Sequence, residues 1–344
     1  MQRLPLWIAV FVSLASWADA QSFNMRYASQ PPVPAPTFGA ATGQAGTWNA
    51  LGAPNGGFGA AVSTNLVDLA GLPTSAVTKV LGCDHDGCGP LGFGPDIDKL
   101  FAGFVNGDCY LDPSSTTIEG LLPGHYRMTL YGASCHPSLK TVGVSLSDGS
   151  FASAAQVGGS YLGSFTSMTL GVVEFELASG VSVKLNGSKF GYLSALQLTH
   201  FEAPTPYCSA KLNSQGCQAG ITFTGGTVAS LSASSAFIVG CSQVVTDASG
   251  LLFYGTAANR EPFLGGWLCV APPTKRTVVQ NAGNTGSACS GRYIFNFNAY
   301  LQSGGDPSVQ AGQKLFGQYW YRDPSDPLGF GSATSNAMVF SVAP

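Results

Sequence analysis

Thr117-Ile-Glu-Gly-Leu-Leu-Pro-Gly-His-Tyr-Arg-Met-Thr-Leu-Tyr-Gly132 is the stretch on which the fold turns. Tyr126, Met128 and Leu130 alternate with His125, Arg127 and Thr129, so one side of an extended chain is apolar and the other polar. Leu122-Pro123-Gly124 is a turn signal, and the spacing predicts a half-buried hairpin with arms at 116–122 and 125–131. The same alternation recurs at Val142–Leu146, Val172–Leu177, Val181–Leu185 and Leu193–Phe201, mostly separated by Gly, Ser, Asp or Asn. Only 66–72 and 97–105 suit short helices. Beyond residue 207, seven more short strands are expected, including Phe237–Val239 within 235–239, Tyr293–Ala299 and Lys314–Arg322. In the last of these the alternation sets Trp320 opposite Tyr319 and Tyr321, so one set should be buried. The class is all-β, with two β-sandwich domains, the first jelly-roll-like and the second Ig-like.

Arg3, the apolar run Leu4–Trp17 and Ala18-Asp-Ala20 have the layout of a cleaved signal peptide over 1–20. The run is too short to span a bilayer, and no later stretch is long enough to form a transmembrane segment. Prolines at 31, 32, 34 and 36 mark 21–36 as an entry arm, because each removes a backbone donor and biases its predecessor to extended geometry. Glu202-Ala-Pro-Thr-Pro206 marks a linker, which leaves sandwiches at 37–201 and 207–344.

Charged residues are only 10% of the chain, the net charge is −3, and there is no basic patch, which argues against nucleic acid as a partner. All nine cysteines follow the leader, and in an exported chain they indicate disulfides. Cys208 with Cys217 and Cys269 with Cys289 are the favoured C-terminal pairs, the first because it closes a small loop. Cys241 is then left as a buried thiol. Cys83 with Cys88 and Cys109 with Cys135 suit the first domain, where four cysteines permit three connectivities.

The segments Thr37–Asn49 and Thr117–Gly132, closing on Leu193–Leu198, resemble a galactose-binding-like jelly roll, in which a Pro-Gly turn precedes a strand ending in Tyr-Gly. That resemblance implies a non-catalytic carbohydrate-binding role. Tyr207-Cys208, Gly250–Gly255, Gly265–Pro273, Cys289-Ser-Gly291 and Gln318–Pro324 together resemble a C-terminal module recurrent in secreted proteins of environmental bacteria. This second resemblance implies an accessory role and no specific activity.

Asp84, Asp86, Asp96 and Asp98 fall in one Gly/Pro-rich loop, an oxygen-rich setting that makes Ca²⁺ a candidate ligand. Cys83, His85 and Cys88 have zinc-ligand chemistry, but export favours a disulfide there. Four histidines and no Gly-x-Ser-x-Gly elbow make a serine hydrolase a poor fit. Glu174 and Glu176 share a strand face and imitate a glycosidase pair, although such neighbours usually form a strand's wet side. Sugars are gripped by flat aromatics plus directed hydrogen bonds, so Trp48, Tyr131, His136 and Tyr192 are the candidate ligand-binding residues. The expectation is a secreted glycan-binding or adhesion protein whose partner is an extracellular polysaccharide or cell-surface glycan. The alternatives are a structural envelope or matrix protein without a discrete site, and a polysaccharide lyase or hydrolase.

Overall fold

A computed structural model describes residues 21–27, 33–52, 61–81, 83–86, 91–106, 115–133, 139–187 and 193–343, with the backbone alone at 83–86, 103–106 and 187. The leader 1–20 therefore lies outside the described residues. So do Cys88, Cys109, Cys135, His136 and Tyr192, while Cys83, Asp84, His85 and Asp86 are described only as backbone.

The fold is an all-β sandwich architecture. In order along the chain, the strands up to residue 201 are β1 (Phe23–Tyr27), β2 (Trp48–Leu51), β3 (Val62–Val67), β4 (Pro73–Leu81), β5 (Cys83–Asp86), β6 (Gly103–Asn106), β7 (Ser115–Glu119), β8 (Gly124–Tyr131), β9 (Lys140–Leu146), β10 (Ala152–Val157), β11 (Leu170–Leu177), β12 (Val183–Gly187) and β13 (Ala195–Phe201). They build a five-stranded sheet, β11-β8-β13-β1-β2, facing a six-stranded sheet, β10-β9-β12-β7-β4-β3, with β5 and β6 paired to each other. The core between the two large sheets takes Phe23, Met25, Tyr126, Met128, Leu196 and Leu198 from the first and Val80, Ile118, Val144, Val183 and Leu185 from the second. Full burial of each such side chain stabilises the fold by about 1.5–3 kcal/mol.

The expected hairpin is a crossover. β7 pairs with β4 and β12, whereas β8 pairs with β11 and β13, so Leu122-Pro-Gly carries the chain from one sheet to the other. Ile118 and Tyr126 then enter the same core from opposite sheets. The corner is fixed by the Tyr126 hydroxyl, which donates to the Leu122 carbonyl at 2.8 Å, and by the Leu122 amide, which donates to Gln21 Oε1 at 2.9 Å. Two glycines make it feasible: Gly120 (φ 72°) has Ser75 O where a Cβ would fall, at 2.2 Å, and Gly124 (φ 146°) has His200 Nε2 at 2.4 Å.

A second correction concerns the arm at 21–36. Phe23–Tyr27 is an integral strand, antiparallel to β13 and parallel to β2, with all five residues buried. Phe23, Met25 and Tyr27 face the core, while Asn24 is buried on the opposite side beneath the loop 39–46. Of the two candidate helices, 97–105 yields α1 (Pro95–Phe101) followed by β6, but 66–72 completes β3 and turns at Asp68, whose carboxylate accepts the Ala70 and Leu72 amides.

The expected linker at 202–206 is in part a strand: Thr205–Tyr207 pairs with Ser332–Ala343, which with Lys314–Arg322, Ser249–Gly255 and Lys275–Arg276 forms one sheet, and Gly220–Gly225, Phe237–Val244 and Gly291–Asn296 form another. Between them lie Val239, Cys241, Tyr293, Leu252, Tyr319, Tyr321 and Phe340. Tyr319 and Tyr321 are fully buried and Trp320 is partly exposed, the alternation expected from the sequence. The strand expected over Tyr293–Ala299 ends at Asn296, whose side chain accepts the Ala299 amide at 3.1 Å and caps α2 (Phe297–Gln302).

The disulfides pair Cys208 with Cys269 and Cys217 with Cys289. The four participating cysteines are those expected, but the connectivity is interleaved rather than local. Cys241 is a buried free thiol, and burial raises its pKa far above the usual thiol range.

Candidate binding groove

A cavity of about 750 Å³ lies between the outer face of the five-stranded sheet and the C-terminal sandwich. Its floor comes from Arg127 and Thr129 on β8, Thr199 on β13 and Val172 on β11. Thr42 to Gln44 and Asp68 to Ala70 form one wall, while Gly312, Lys314 and Ser341 form the other. These residues meet because β8 and β13 are adjacent in register, Thr199 opposite Arg127, and alternation turns both away from the core.

The loop wall is held by a buried polar network rather than by apolar packing. Gln197 Nε2 donates to Asn24 Oδ1 at 2.8 Å and to the Gln44 carbonyl at 3.1 Å, and its Oε1 accepts from the hydroxyls of Tyr131 at 2.5 Å and Thr42 at 2.8 Å. Asn24 Nδ2 donates to the Gln44 carbonyl at 3.0 Å, Gln44 Nε2 returns a bond to Asn24 Oδ1 at 2.9 Å, and Thr199 Oγ1 donates to Gln44 Oε1 at 2.6 Å. Each central member is satisfied by another, which makes the wall rigid.

Beside the groove, His125, Arg127, Glu174 and Glu176 form a charged cluster. His125 Nδ1 stands 2.9 Å from Glu176 Oε1 and its Nε2 3.7 Å from Glu174 Oε2, while Arg127 donates to Glu174 Oε1 at 3.1 Å. Burial opposes charge on His125, but the two carboxylates outweigh it and raise its pKa to about 9. Glu174 is lowered chiefly by its hydrogen bond to His125; for Glu176, burial is overcome by bonds from His125 and Thr227. Thr227 belongs to the C-terminal part, so its bond to Glu176 ties the two sandwiches together. Lys314 to Glu202 at 3.0 Å and the apolar contact of Phe201, Val228 and Ala343 add to that junction. His200 lies nearby with Nε2 3.1 Å from the Pro123 carbonyl, to which it donates; burial lowers its pKa, so it is neutral at pH 7.

The junction is therefore pH-dependent in a defined sense. His125, with its pKa raised, contributes stability that is complete below about 6.5 and lost as pH rises through about 9; Glu174 and Glu176, with lowered pKa values, contribute stability present above about 4.5 and lost as pH falls. Thermal melts should show a plateau between those limits and an alkaline decline on the order of 2 kcal/mol, discounted for the half-exposed carboxylates. His125→Gln should flatten that decline; an unchanged alkaline limb in the variant would refute the assignment.

The candidate residues from sequence are distributed differently. Trp48 is 4% exposed, donates its Nε1–H to the Phe38 carbonyl at 3.1 Å, and packs with Leu100, Phe101 and Tyr161 in an apolar cap over one end of the sheet. Tyr131 is fully buried in the same cluster. Neither ring has a free face for a sugar, because α1 and the loop around Tyr161 cover them. Asp96 Oδ1 accepts the Ala35 amide at 2.9 Å and pairs with Lys99 at 3.5 Å, and Asp98 Oδ1 accepts the Gly92 amide at 3.0 Å. Both act as loop ties, and among the described residues no three His, Cys, Asp or Glu side chains are grouped as metal ligands. Glu174 and Glu176 do share a face, each committed to His125. Among the described residues no helix is long and apolar enough to cross a membrane.

Gln44, Asp68, Thr199 and Lys314 were not singled out from sequence. Only the wet-face assignment of Arg127 and Thr129 pointed towards the groove.

No family model matches the chain, and no curated protein matches it. Solved structures that match include a β-glucuronidase from Bacteroides uniformis, at 11% identity and a TM-score of 0.18, covering 66% of this chain and 26% of that one. A second is B. uniformis β-glucuronidase 2 covalently bound to cyclophellitol-6-carboxylate aziridine, at 12% identity and a TM-score of 0.18, covering 65% and 26%. The chain thus spans about a quarter of the length of the structures it matches, and superpositions this poor carry no argument about its activity.

Proposed function

We propose that this chain is an extracellular, non-catalytic carbohydrate-binding protein whose ligand lies in the groove between the two sandwiches. The observation that carries this reading is the pre-organised polar wall: a groove of about 750 Å³ falls in the size range of small-ligand sites, and its loop is locked before any ligand arrives. Binding without chemistry is favoured because the nearby titratable groups are held away from pKa values near 7. The two glutamates push His125 up to about 9 while their own pKa values are lowered, and burial lowers that of His200, whereas a general acid or base works best with a pKa near the operating pH. The two disulfides suit an oxidising, extracellular setting.

Val172→Trp, at an exposed position of β11, places an indole on the groove floor without touching the core or the polar network. Retention on an immobilised polysaccharide panel should be lost in this variant while its melting temperature stays within a few degrees of the parent. If the parent is retained on no glycan of a broad array, or if both proteins bind equally, the reading fails.

A further inference from the structure

We infer that the glycan held in this groove is anionic, carrying carboxylate or sulfate groups that meet Arg127 and Lys314; this rests on the carbohydrate-binding reading above. The chain as a whole is acidic, with a net charge of −3, yet two of the three fully charged side-chain types lining the groove are cations: Arg127 and Lys314 against Asp68. Asp68 is anchored to its own turn, because its Oδ1 accepts the Ala70 amide at 2.9 Å and the Leu72 amide at 2.8 Å. The carboxylates that partner the cations, Glu174 and Glu202, do not line the groove.

Each cation is also under-used. Arg127 donates through one guanidinium nitrogen, to Glu174 at 3.1 Å, and Lys314 makes one contact, to Glu202 at 3.0 Å, among the described residues. A guanidinium has five N–H donors and an ammonium three, so both retain donors suited to a planar carboxylate or a sulfate oxygen. Low-dielectric walls on two sides strengthen that attraction relative to an open surface. Leu170 and Val172, which also line the groove, offer apolar surface to the C–H faces of sugar rings.

The test uses the full-length protein with three polymers of similar length: polygalacturonate, a sulfated galactan and a neutral galactan. At least one acidic polymer should bind about tenfold or more tighter than the neutral one at low salt, because charge-assisted hydrogen bonds are roughly twice as strong as neutral ones. That advantage should shrink as salt rises from about 0.05 to about 0.5 M through screening. Comparison of the polygalacturonate and sulfated arms tells which acid the groove takes. Lys314→Gln, at a half-exposed position, should weaken acidic binding about tenfold with the fold intact, and Arg127→Gln should do the same. Val172→Glu, which adds an anion to the floor outside the polar network, should abolish acidic binding and checks the assignment without removing either ion pair. Equal, salt-insensitive binding of the neutral galactan overturns this inference while the carbohydrate-binding reading stands. Acidic binding that survives all three substitutions also overturns it, and failure to bind any of the three polymers or a broad glycan array removes both.

Discussion

Asp326→Ala is expected to destabilise the C-terminal sandwich by about 3–5 kcal/mol, the range for breaking a buried ion pair by removing one partner. Lys211 Nζ is held at 2.7 Å from Asp326 Oδ2, and their side chains are 2% and 0% exposed. The ammonium's other two protons go to the carbonyls of Leu264 at 2.8 Å and Ser332 at 2.8 Å, so all three of its donors are used. Asp326 also accepts the amides of Leu328 at 3.2 Å and Phe330 at 2.9 Å, and the bonds from Lys211 and these amides outweigh burial to keep its pKa below the usual carboxylate range. Truncation thus leaves a buried cation without its counter-charge and two amides without an acceptor. Denaturant titration of the variant should show a lower midpoint with an unchanged slope. Lys211→Met combined with Asp326→Leu should recover most of the loss, since neither charge remains to be solvated. A single-variant loss under about 1 kcal/mol would mean that solvent reaches the pair and that the loop 323–332 is held by something else.

That pair shows why much of the architecture, but little of the site, was legible in the sequence. Alternation at Tyr126, Met128 and Leu130 identifies which face of β8 is buried, because period-two patterning is a local property. It does not identify the neighbour: Leu122-Pro-Gly marks a change of direction, and whether the chain returns beside itself or crosses to the other sheet depends on where Ile118 finds a partner. Phe23–Tyr27 was hidden for a related reason. Its outward-facing Asn24 is covered by a loop that arrives later in the chain, so a polar residue that would be solvent-facing elsewhere is fully buried.

The cysteines illustrate the same limit. Sequence separation favours the short loop from Cys208 to Cys217, yet the strands that flank these residues bring Cys269 and Cys289 to them instead, at separations of 61 and 72 residues. Asp96 and Asp98 carried a different ambiguity, since an aspartate that ties a loop through backbone amides has the same composition and spacing as one that ligates Ca²⁺. Arg127 and Lys314 are 187 positions apart by number, and only the junction of the two sandwiches puts both on one groove.

The groove's dependence on that assembled polar wall leads to the other large effect. Gln197→Leu preserves approximate volume but removes the Gln197 hydrogen bonds to Asn24, Gly39, Thr42, Gln44 and Tyr131, leaving Thr199 Oγ1 to Gln44 Oε1 as the main side-chain tie from β13 to the loop 39–46. Asn24 Oδ1 keeps its bond from Gln44, and the exposed Thr42 hydroxyl can turn to water, but the fully buried Tyr131 hydroxyl loses its 2.5 Å acceptor. An unsatisfied buried group costs about 1–3 kcal/mol, so the substitution should remove about that much from the N-terminal sandwich. Adding Tyr131→Phe deletes the stranded hydroxyl and should return about 1 kcal/mol, a coupling that a simple loss of packing would not produce. The loop should report the same event by hydrogen exchange. The Gly46 amide, bonded to the Pro36 carbonyl at 2.7 Å, and the Gln44 amide, bonded to Thr42 Oγ1 at 3.0 Å, should exchange faster in Gln197→Leu than in the parent, while amides of the six-stranded sheet keep their protection. Uniformly faster exchange across both sheets would instead mark Gln197 as a general stability element. Selective release of 39–46, accompanied by weaker glycan retention, would identify the network as what shapes the groove for its ligand.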